Sequence, residues 1–263
     1  MKKTKGRLTL PSESNFLEET KELMELWGAD AIRDSDGTAL DEDIKDLDAK
    51  IYSVYFVARE HNEFIKEHLE EVQNLYLMSD RVTATTDELE ITLMKGYYDQ
   101  QLQVHKHHDP KIYWQVINRT TGEVVTDWEV SDDFEKVFVK STPFHEYTVG
   151  FLADVIWDPT SMYNHLTNDW GDREHQIPFD VRKPKSQQFM YDTLKTWLEN
   201  NPKTDVVRFT TFFYHFTLFF NEFAKEKFVD WFGYSQSVSV ELIEDFYKDT
   251  GLRLTPEDII DQG

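Results

Sequence analysis

The order of apolar segments along the chain is the feature that most constrains its fold. Near both ends, short apolar runs predicted to be strands alternate with amphipathic helices, whereas short β-rich runs separated by turn residues fill residues 81–154 or so. Parallel strands need a crossover, usually a helix, between them, so this alternation favours a parallel sheet or barrel. The pattern predicts one α/β domain over residues 1–263 with an antiparallel β insertion at about 81–154.

Individual elements can be predicted from their end signals. Asn15 is predicted to cap the first helix and Gly28 to end it, while Ser239 is predicted to cap a later helix. Residues 205–211 are predicted to form a strand, followed by a helical stretch as far as Trp231. We count roughly four or five strand–helix units, where a closed barrel takes eight. The chain is therefore expected to hold only part of a TIM-type (β/α)8 barrel.

Composition excludes several classes of partner and site. The chain has 50 acidic and 28 basic residues, a formal net charge of −22, and no cysteine. Such a negative field repels nucleic acid and anionic membranes, so neither is expected as a partner. Without cysteine there are no disulfides and no thiolate chemistry. The first residues lack the apolar run of a secretion signal, and no apolar stretch is long enough to span a bilayer. A cytoplasmic location is expected.

A histidine cluster offers the residue types of a metal site. His105, His107, His108 and Asp109 lie close together, with Lys106 among them. Histidine and aspartate are metal ligands in proteins. The cluster falls in a predicted loop of the β insertion, where a solvated loop is the favoured interpretation, and no metal site is predicted.

Two arginines stand alone at the ends of apolar runs. Arg33 ends the run before Asp34, and Arg208 lies within the predicted strand at residues 205–211. An arginine facing the interior of a barrel needs a carboxylate, a phosphate or sugar hydroxyls to satisfy its guanidinium. An internal ion pair, for example of Arg33 with Asp34 or Asp36, is an equally good interpretation.

A polar and aromatic segment at residues 163–172 contains groups suited to sugar binding. Its sequence is YNHLTNDWGD, and it follows Trp157 and Asp158. Asn and Asp side chains can bind vicinal hydroxyls, and Trp and Tyr can stack on a sugar ring. The alternative is a capped loop that leads away from a strand, and the density of polar groups favours a functional role.

Long stretches of this sequence resemble the 1,3-β-galactosyl-N-acetylhexosamine phosphorylases, also called galacto-N-biose/lacto-N-biose phosphorylases. The resemblance covers essentially the whole chain. The segments that carry it are WGADAIR (27–33), YW (113–114), RTTGEVV (119–125), IWDP (156–159), MYNHLTNDWGD (162–172), DVVRFTTFFY (205–214) and KFVDWFG (227–233).

The resemblance implies a partly broken (β/α)8 barrel and a glycosyltransferase-type reaction. Inorganic phosphate, as co-substrate, splits a galactosyl disaccharide with inversion to α-galactose 1-phosphate and a free acceptor sugar, without metal or organic cofactor. In such a reaction phosphate replaces the attacking water of an inverting glycosidase, so one carboxylic acid suffices. The resemblance further implies that this general acid and the remaining domains lie beyond residue 263, and that the full-length family forms homodimers. No catalytic residue, and an inactive truncated chain, are therefore expected here.

The same resemblance assigns five residues. Arg33, Asn164 and Arg208 match positions that bind sugar or phosphate in the substrate site. Thr160 and Tyr234 match positions that tune the choice of acceptor.

Other functions remain open from the sequence. One is a non-catalytic galactoside-binding remnant, and another is a β-galactosyl-rhamnose phosphorylase of the same family. An ordinary hydrolase would need a second catalytic carboxylate. Asp158, Asp169 and Asp172 are available for this role, but their spacing singles out no pair.

Overall fold

The computed structural model describes residues 8–35, 38–56, 61–210, 217–230 and 237–260. The chain divides into two compact units. The first comprises Met1–Arg59 and Gln188–Thr211, and the second comprises Glu60–Gln187 and Phe212–Gly263.

The described residues form strands and helices in an order that mixes both types. In chain order they are β1 (Thr9–Pro11), α1 (Leu17–Trp27), β2 (Ala31–Arg33), α2 (Glu42–Lys45), β3 (Lys50–Phe56), α3 (Asn62–Glu67), a 3-10 turn (Leu69–Glu71), β4 (Asn74–Met78), β5 (Val82–Thr83), β6 (Glu88–Thr92), β7 (Leu102–Val104), α4 (Pro110–Tyr113), β8 (Gln115–Asn118), β9 (Glu123–Val125), β10 (Trp128–Val130), β11 (Lys136–Lys140), β12 (Glu146–Val155), α5 (Pro159–Thr167), α6 (Pro184–Asn200), β13 (Val206–Thr210), β14 (Thr217–Phe220), β15 (Glu226–Asp230), α7 (Val240–Thr250) and α8 (Pro256–Ile259).

The first unit is built on a parallel sheet with strand order β1-β2-β3-β13. Ile32 and Ile51 are register partners on one face of this sheet and are fully buried. They pack with Ile44 of α2 and with Leu17 and Met24 of α1. Over the described residues the sheet is open rather than closed into a barrel. The parallel α/β architecture predicted from the sequence is confirmed, as part of a barrel.

The second unit is dominated by antiparallel pairing around the long strand β12. This strand pairs with β4, β5, β7 and β8, and β8 pairs in turn with β9. A second antiparallel sheet has the order β10-β11-β6. Leu77, Ile91, Val149 and Phe151 are among the fully buried side chains of the shared core. The antiparallel pairing begins at Asn74 in β4, upstream of the region 81–154 in which the sequence predicts the insertion.

The predicted start of the first helix is wrong. Asn15 does not cap α1, because its own backbone lies in the left-handed region at φ 68° and its N–H donates to the carboxylate of Asp41 at 2.6 Å. The helix begins at Leu17 after Phe16, with no side-chain cap. The predicted end is confirmed, because Gly28 takes up the left-handed conformation and its N–H bonds to the carbonyl of Met24.

The helix predicted up to Trp231 is also wrong over the described residues. Residues 217–220 and 226–230 form β14 and β15, which pair as an antiparallel hairpin. The side chain of Asn221 accepts from the N–H groups of Phe223 and Lys225, at 2.9 and 3.1 Å, and so builds the turn. Asparagine side chains stabilise turns in this way, and the flanking apolar residues are equally compatible with a strand or a helix.

The cap predicted at Ser239 is confirmed. The side chain of Ser239 accepts from the N–H of Leu242 at 3.2 Å and caps α7. Thr255 and Asp258 form the capping box of α8. Among the described residues, no helix is both long enough and apolar enough to cross a lipid bilayer.

Candidate functional site

Arg33 and Arg208 lie on the same face of the parallel sheet. Arg33 is paired in register with Tyr52 of β3, and Arg208 is paired with Val54, two residues further along that strand. Register partners in a parallel sheet point to the same side, as do residues two apart on one strand. With strands about 4.8 Å apart and a rise of about 3.3 Å per residue, the two arginine Cα atoms are separated by roughly 12 Å. Long arginine side chains can meet across that gap.

The described helices of this unit pack on the face of the sheet opposite the two arginines. Tyr55, on the opposite face of β3, packs edge-on against Trp197 of α6 at 5.4 Å between ring centroids. Its hydroxyl donates to Thr193 of the same helix at 3.1 Å. Helices α1 and α2 pack on that opposite face too. Arg33 and Arg208 are both half-buried on the other face. Arg33 lies at the C-terminal end of β2, where parallel sheets bind ligands, and Arg208 lies in the middle of β13.

The end of β2 is fixed by the residue that follows Arg33. Both carboxylate oxygens of Asp34 accept from the backbone N–H of Val54, at 2.9 and 3.0 Å. The Asp34 N–H donates to the carbonyl of Tyr52 at 3.2 Å. Arg33 donates to the backbone carbonyl of Asp34, also at 3.2 Å. The Asp34 carboxylate thus extends the β2–β3 ladder instead of forming an ion pair with Arg33. Asp36, the other proposed partner, lies outside the described residues.

Asn164 lies on α5, which belongs to the second unit. The helix is capped by Asp158, whose carboxylate accepts from the N–H of Ser161 at 2.8 Å. The side-chain oxygen of Asn164 accepts from the side-chain amide of Asn168 at 2.6 Å, one turn later. Asp158 therefore caps the start of this helix.

The two predicted acceptor-specificity residues are Thr160 and Tyr234. Thr160 lies in the first turn of α5. Tyr234 lies outside the described residues. Their proposed roles stay predictions.

Aromatic and imidazole rings surround the C-terminal end of α5. Trp157 stacks on His175 with 3.4 Å between ring centroids and an interplanar angle of 10°. Desolvation, and then the neighbouring His165, lower the pKa of His175 below the usual histidine range, which favours a neutral ring. The guanidinium of Arg173 lies 5.0 Å from the ring centre of Trp170. Residues 163–172 thus form the end of helix α5 and part of the loop that follows it, with several aromatic and imidazole rings.

The histidine cluster of the β insertion differs from the expected solvated loop. His105 is only 4% exposed, because β7 pairs with β12 and places it beside Asp154. Its ring nitrogens lie 2.7 Å from the Asp154 carboxylate and 2.7 Å from Nδ1 of His108. Burial, and then His105, lower the pKa of His108. His107 remains exposed, as expected. Within the described segments, no three His, Cys, Asp or Glu side chains are grouped to hold a metal ion.

Sequence comparison adds the family. Residues 6–263 match the model of the lacto-N-biose phosphorylase N-terminal TIM barrel domain. The chain belongs to this family. The open parallel sheet that carries the two half-buried arginines is therefore part of the family's barrel domain.

Characterised family members are similar along nearly the entire chain. It is 54% identical, over 98% of its length, to the 1,3-beta-galactosyl-N-acetylhexosamine phosphorylase of Bifidobacterium longum. It is 52% identical over 99% of its length to a protein of that name from Lachnoclostridium phytofermentans, and 38% identical to the D-galactosyl-beta-1->4-L-rhamnose phosphorylase of that organism. The chain spans 35% to 37% of the length of these relatives.

The structural roles of two carboxylates, Asp34 and Asp154, were not predicted from the sequence. Asp34 was considered only as a partner of Arg33, although it supports the backbone at the sheet end. Asp154 binds the buried His105. The signal for Asp154 was present, since it is an acidic residue inside the otherwise apolar and almost wholly buried strand β12. Asp154 is partly buried, and a carboxylate in such a strand usually has a partner, which makes this residue conspicuous.

Proposed function

We propose that this chain forms the substrate-binding part of an inverting phosphorylase that acts on β-galactosyl-(1,3)-N-acetylhexosamines. The observation that carries this proposal is the pair Arg33 and Arg208 on one face of the parallel sheet, in a chain that matches the family's barrel domain. In a chain of net charge −22, two cations on one face offer a local site for an anion. Guanidinium groups bind phosphate through two parallel hydrogen bonds, which also orients it.

The reaction assigns distinct roles to phosphate and sugar. A phosphate oxygen attacks the anomeric carbon of galactose from the face opposite the leaving group, while the bond from that carbon to the acceptor oxygen breaks. The acceptor oxygen takes a proton from a general acid, and the products are α-galactose 1-phosphate and the free acceptor. Arg33 and Arg208 hold the phosphate for this attack. Asn164 binds a hydroxyl of the galactosyl group. We assign no general acid among the described residues, and propose no metal or organic cofactor.

We infer an N-acetylhexosamine acceptor in preference to rhamnose. Support comes from the relatives, because identity is 54% to a phosphorylase named for N-acetylhexosamines and 38% to one named for rhamnose. Thr160 and Tyr234 are the positions at which we expect substitutions to change this preference. Substituting Thr160 or Tyr234 and measuring the relative rates with each acceptor tests that assignment.

Phosphate binding provides the direct test of the arginine pair. Calorimetry with inorganic phosphate and with α-galactose 1-phosphate would compare the wild type with Arg33→Ala and Arg208→Ala. A charge-assisted hydrogen bond contributes about 1.5–3 kcal/mol, so each variant is expected to bind about 10- to 150-fold more weakly. Arg81→Ala is a matched control, because Arg81 is an exposed arginine on the other unit. Equal affinity in the wild type and both site variants refutes the arginine assignment.

Turnover distinguishes the enzyme from a binding remnant. Phosphate release from α-galactose 1-phosphate would be measured with N-acetylglucosamine, N-acetylgalactosamine and rhamnose offered separately. Release with one acceptor identifies that acceptor and shows that the chain supplies its own acid. Saturable binding of the disaccharide without release supports a galactoside-binding module instead.

A further inference from the structure

An imidazole ring joins the far end of the loop that follows α5 to the helix. Residues 168–173 leave the helix through two left-handed residues, Asp169 at φ 50° and Gly171 at φ 60°. His165, on the last turn of α5, lies between the helix and the far end of this loop. Its Nδ1 is 2.7 Å from the backbone carbonyl of Ser161, and its Nε2 is 2.8 Å from the backbone carbonyl of Arg173.

This geometry specifies the protonation state of His165. A carbonyl oxygen can only accept a hydrogen bond, so each of the two short contacts requires a proton on the histidine nitrogen. A neutral imidazole carries one proton and can satisfy one carbonyl, while its bare nitrogen faces the other oxygen lone pair to lone pair. Only the imidazolium makes both bonds at once, and a charged donor makes them stronger than neutral ones.

The ring of His165 lies among other aromatic rings, and few charged groups are close to it. Its ring contacts Trp157 and Trp170 at 5.5 and 5.7 Å, and His175 at 4.7 Å between centroids. The pKa of His175 is lowered by desolvation and then by His165, so that neighbour favours its neutral form. The other charged groups nearby are Arg173, whose guanidinium lies over Trp170, and the exposed loop carboxylates Asp169 and Asp172.

We propose that His165 is a positioning residue: its imidazolium clamps the loop 168–173 onto α5 and thereby orders Asn164. The loop begins with Asn168, whose side-chain amide donates to the side-chain oxygen of Asn164 at 2.6 Å. With the clamp closed, both ends of the loop are fixed and this bond fixes the rotamer of Asn164. Loss of the second proton releases the Arg173 carbonyl or the Ser161 carbonyl, and the loop end and the Asn164–Asn168 bond loosen together.

The clamp itself does not depend on the proposed function, whereas its effect on sugar binding does. If Asn164 binds a galactosyl hydroxyl, closing the clamp prepares it for that contact. Affinity for galactose is then higher with the imidazolium than with the neutral ring. No residue of the clamp needs to touch the sugar for this to happen.

Nitrogen NMR of the full chain tests the clamp without any ligand. Long-range proton–nitrogen spectra of labelled histidine rings report whether each ring nitrogen carries a proton, and side-chain amide spectra report the environment of Asn168. A titration from about pH 5 to pH 8 covers the range in which histidines change charge. We expect both His165 nitrogens to be protonated at the acidic end. The Asn168 amide resonances should shift with the same midpoint as His165.

Two glutamine variants separate the clamp from general pH effects. His165→Gln cannot change charge and should abolish the pH-dependent shift of the Asn168 amide. His107→Gln removes an exposed histidine of another loop and should leave that shift intact. A bare nitrogen on His165 at the acidic end overturns the proposal, and so does an unchanged Asn168 titration in His165→Gln.

Galactose calorimetry at both ends of the titration tests the positioning role. Affinity at least several-fold higher at the acidic end, and pH-independent in His165→Gln, supports it. Equal affinity at both ends, with the clamp seen to open by NMR, overturns it. If galactose binds at neither end while the ring and amide signals behave as expected, the clamp stands and the assignment of Asn164 to sugar in the proposed function fails.

Discussion

Asp34 is expected to hold the end of the arginine-bearing strand by accepting a hydrogen bond from the backbone N–H of Val54. Strand β2 stops at Arg33 while β3 continues, so the N–H of Val54 faces the side on which β2 has ended. The Asp34 carboxylate takes the place of the missing ladder partner. Both residues are buried, at 8% and 9% exposure, so water does not readily substitute. The perturbation is Asp34→Ala, compared with Asp34→Asn.

The expected loss of stability at this position is that of one hydrogen bond, because a single N–H donor serves both carboxylate oxygens. The two carboxylate oxygens share a single N–H, which makes one charge-assisted hydrogen bond of about 1.5–3 kcal/mol. Asp34→Ala leaves that N–H buried and unpaired and should cost the full amount. Asp34→Asn keeps an acceptor oxygen but no charge, and neutral bonds are roughly half as strong, so its cost should be about 1 kcal/mol.

Hydrogen exchange of the Val54 amide is the assay that isolates this bond. Exchange requires local opening, and each 1.4 kcal/mol is about a tenfold change, so Asp34→Ala should exchange about 10- to 150-fold faster at Val54. Asp30→Ala is the matched control, since Asp30 accepts from the Leu8 N–H at the other end of β2 but is exposed. Unchanged protection of Val54 in Asp34→Ala would refute the reasoning. Equal damage by Asn and Ala would refute the role of the retained oxygen.

Three further predictions concern the second unit. Gly150→Ala should destabilise it by about 1–3 kcal/mol in urea denaturation, because a Cβ there overlaps Pro256; a neutral result would mean that α8 shifts freely. Arg119→Lys should lower stability by about 1–2 kcal/mol, since it loses the bidentate pair with Glu257 at 2.6 and 2.8 Å, and a silent variant would contradict this. Burial lowers the pKa of His61, so the unfolded chain binds this proton more readily. Stability should be full above about pH 6.5 and decrease as pH falls below it. His61→Gln should weaken that decrease.

The elements that could be predicted are those whose signals lie within a few residues of each other. Gly28 ends α1 and Ser239 caps α7 as predicted, because a left-handed glycine and a serine N-cap act on their own helix end. Asn15 carries a similar signal, but Asp41, far along the chain, binds its N–H and removes it from the cap position. Local patterns cannot anticipate a distant competitor for the same backbone group.

Side-chain burial in the β insertion depended on strand register, which the sequence pattern did not give. His105 looks like a loop residue beside Lys106, yet pairing of Val104 with Ala153 brings it next to Asp154. Shifting a strand by one residue would turn His105 to the other face. For the arginines, the alternation pattern sufficed to place both in parallel strands. That they share one face follows only from their pairing with β3.

Two of the residues proposed to bind ligand, Arg33 and Asn164, share a feature: each is adjacent to a polar side chain that fixes the backbone. Asp34 extends the ladder beside Arg33, and His165 bridges two carbonyls beside Asn164. Fixing the backbone in advance reduces the conformational entropy lost when a ligand is bound, and sites held by such supports keep their geometry without the ligand. It follows that Asp34→Ala should weaken phosphate binding although Asp34 makes no phosphate contact in this account. In combination with Arg33→Ala its effect on phosphate affinity should largely disappear, because the arginine it supports is gone.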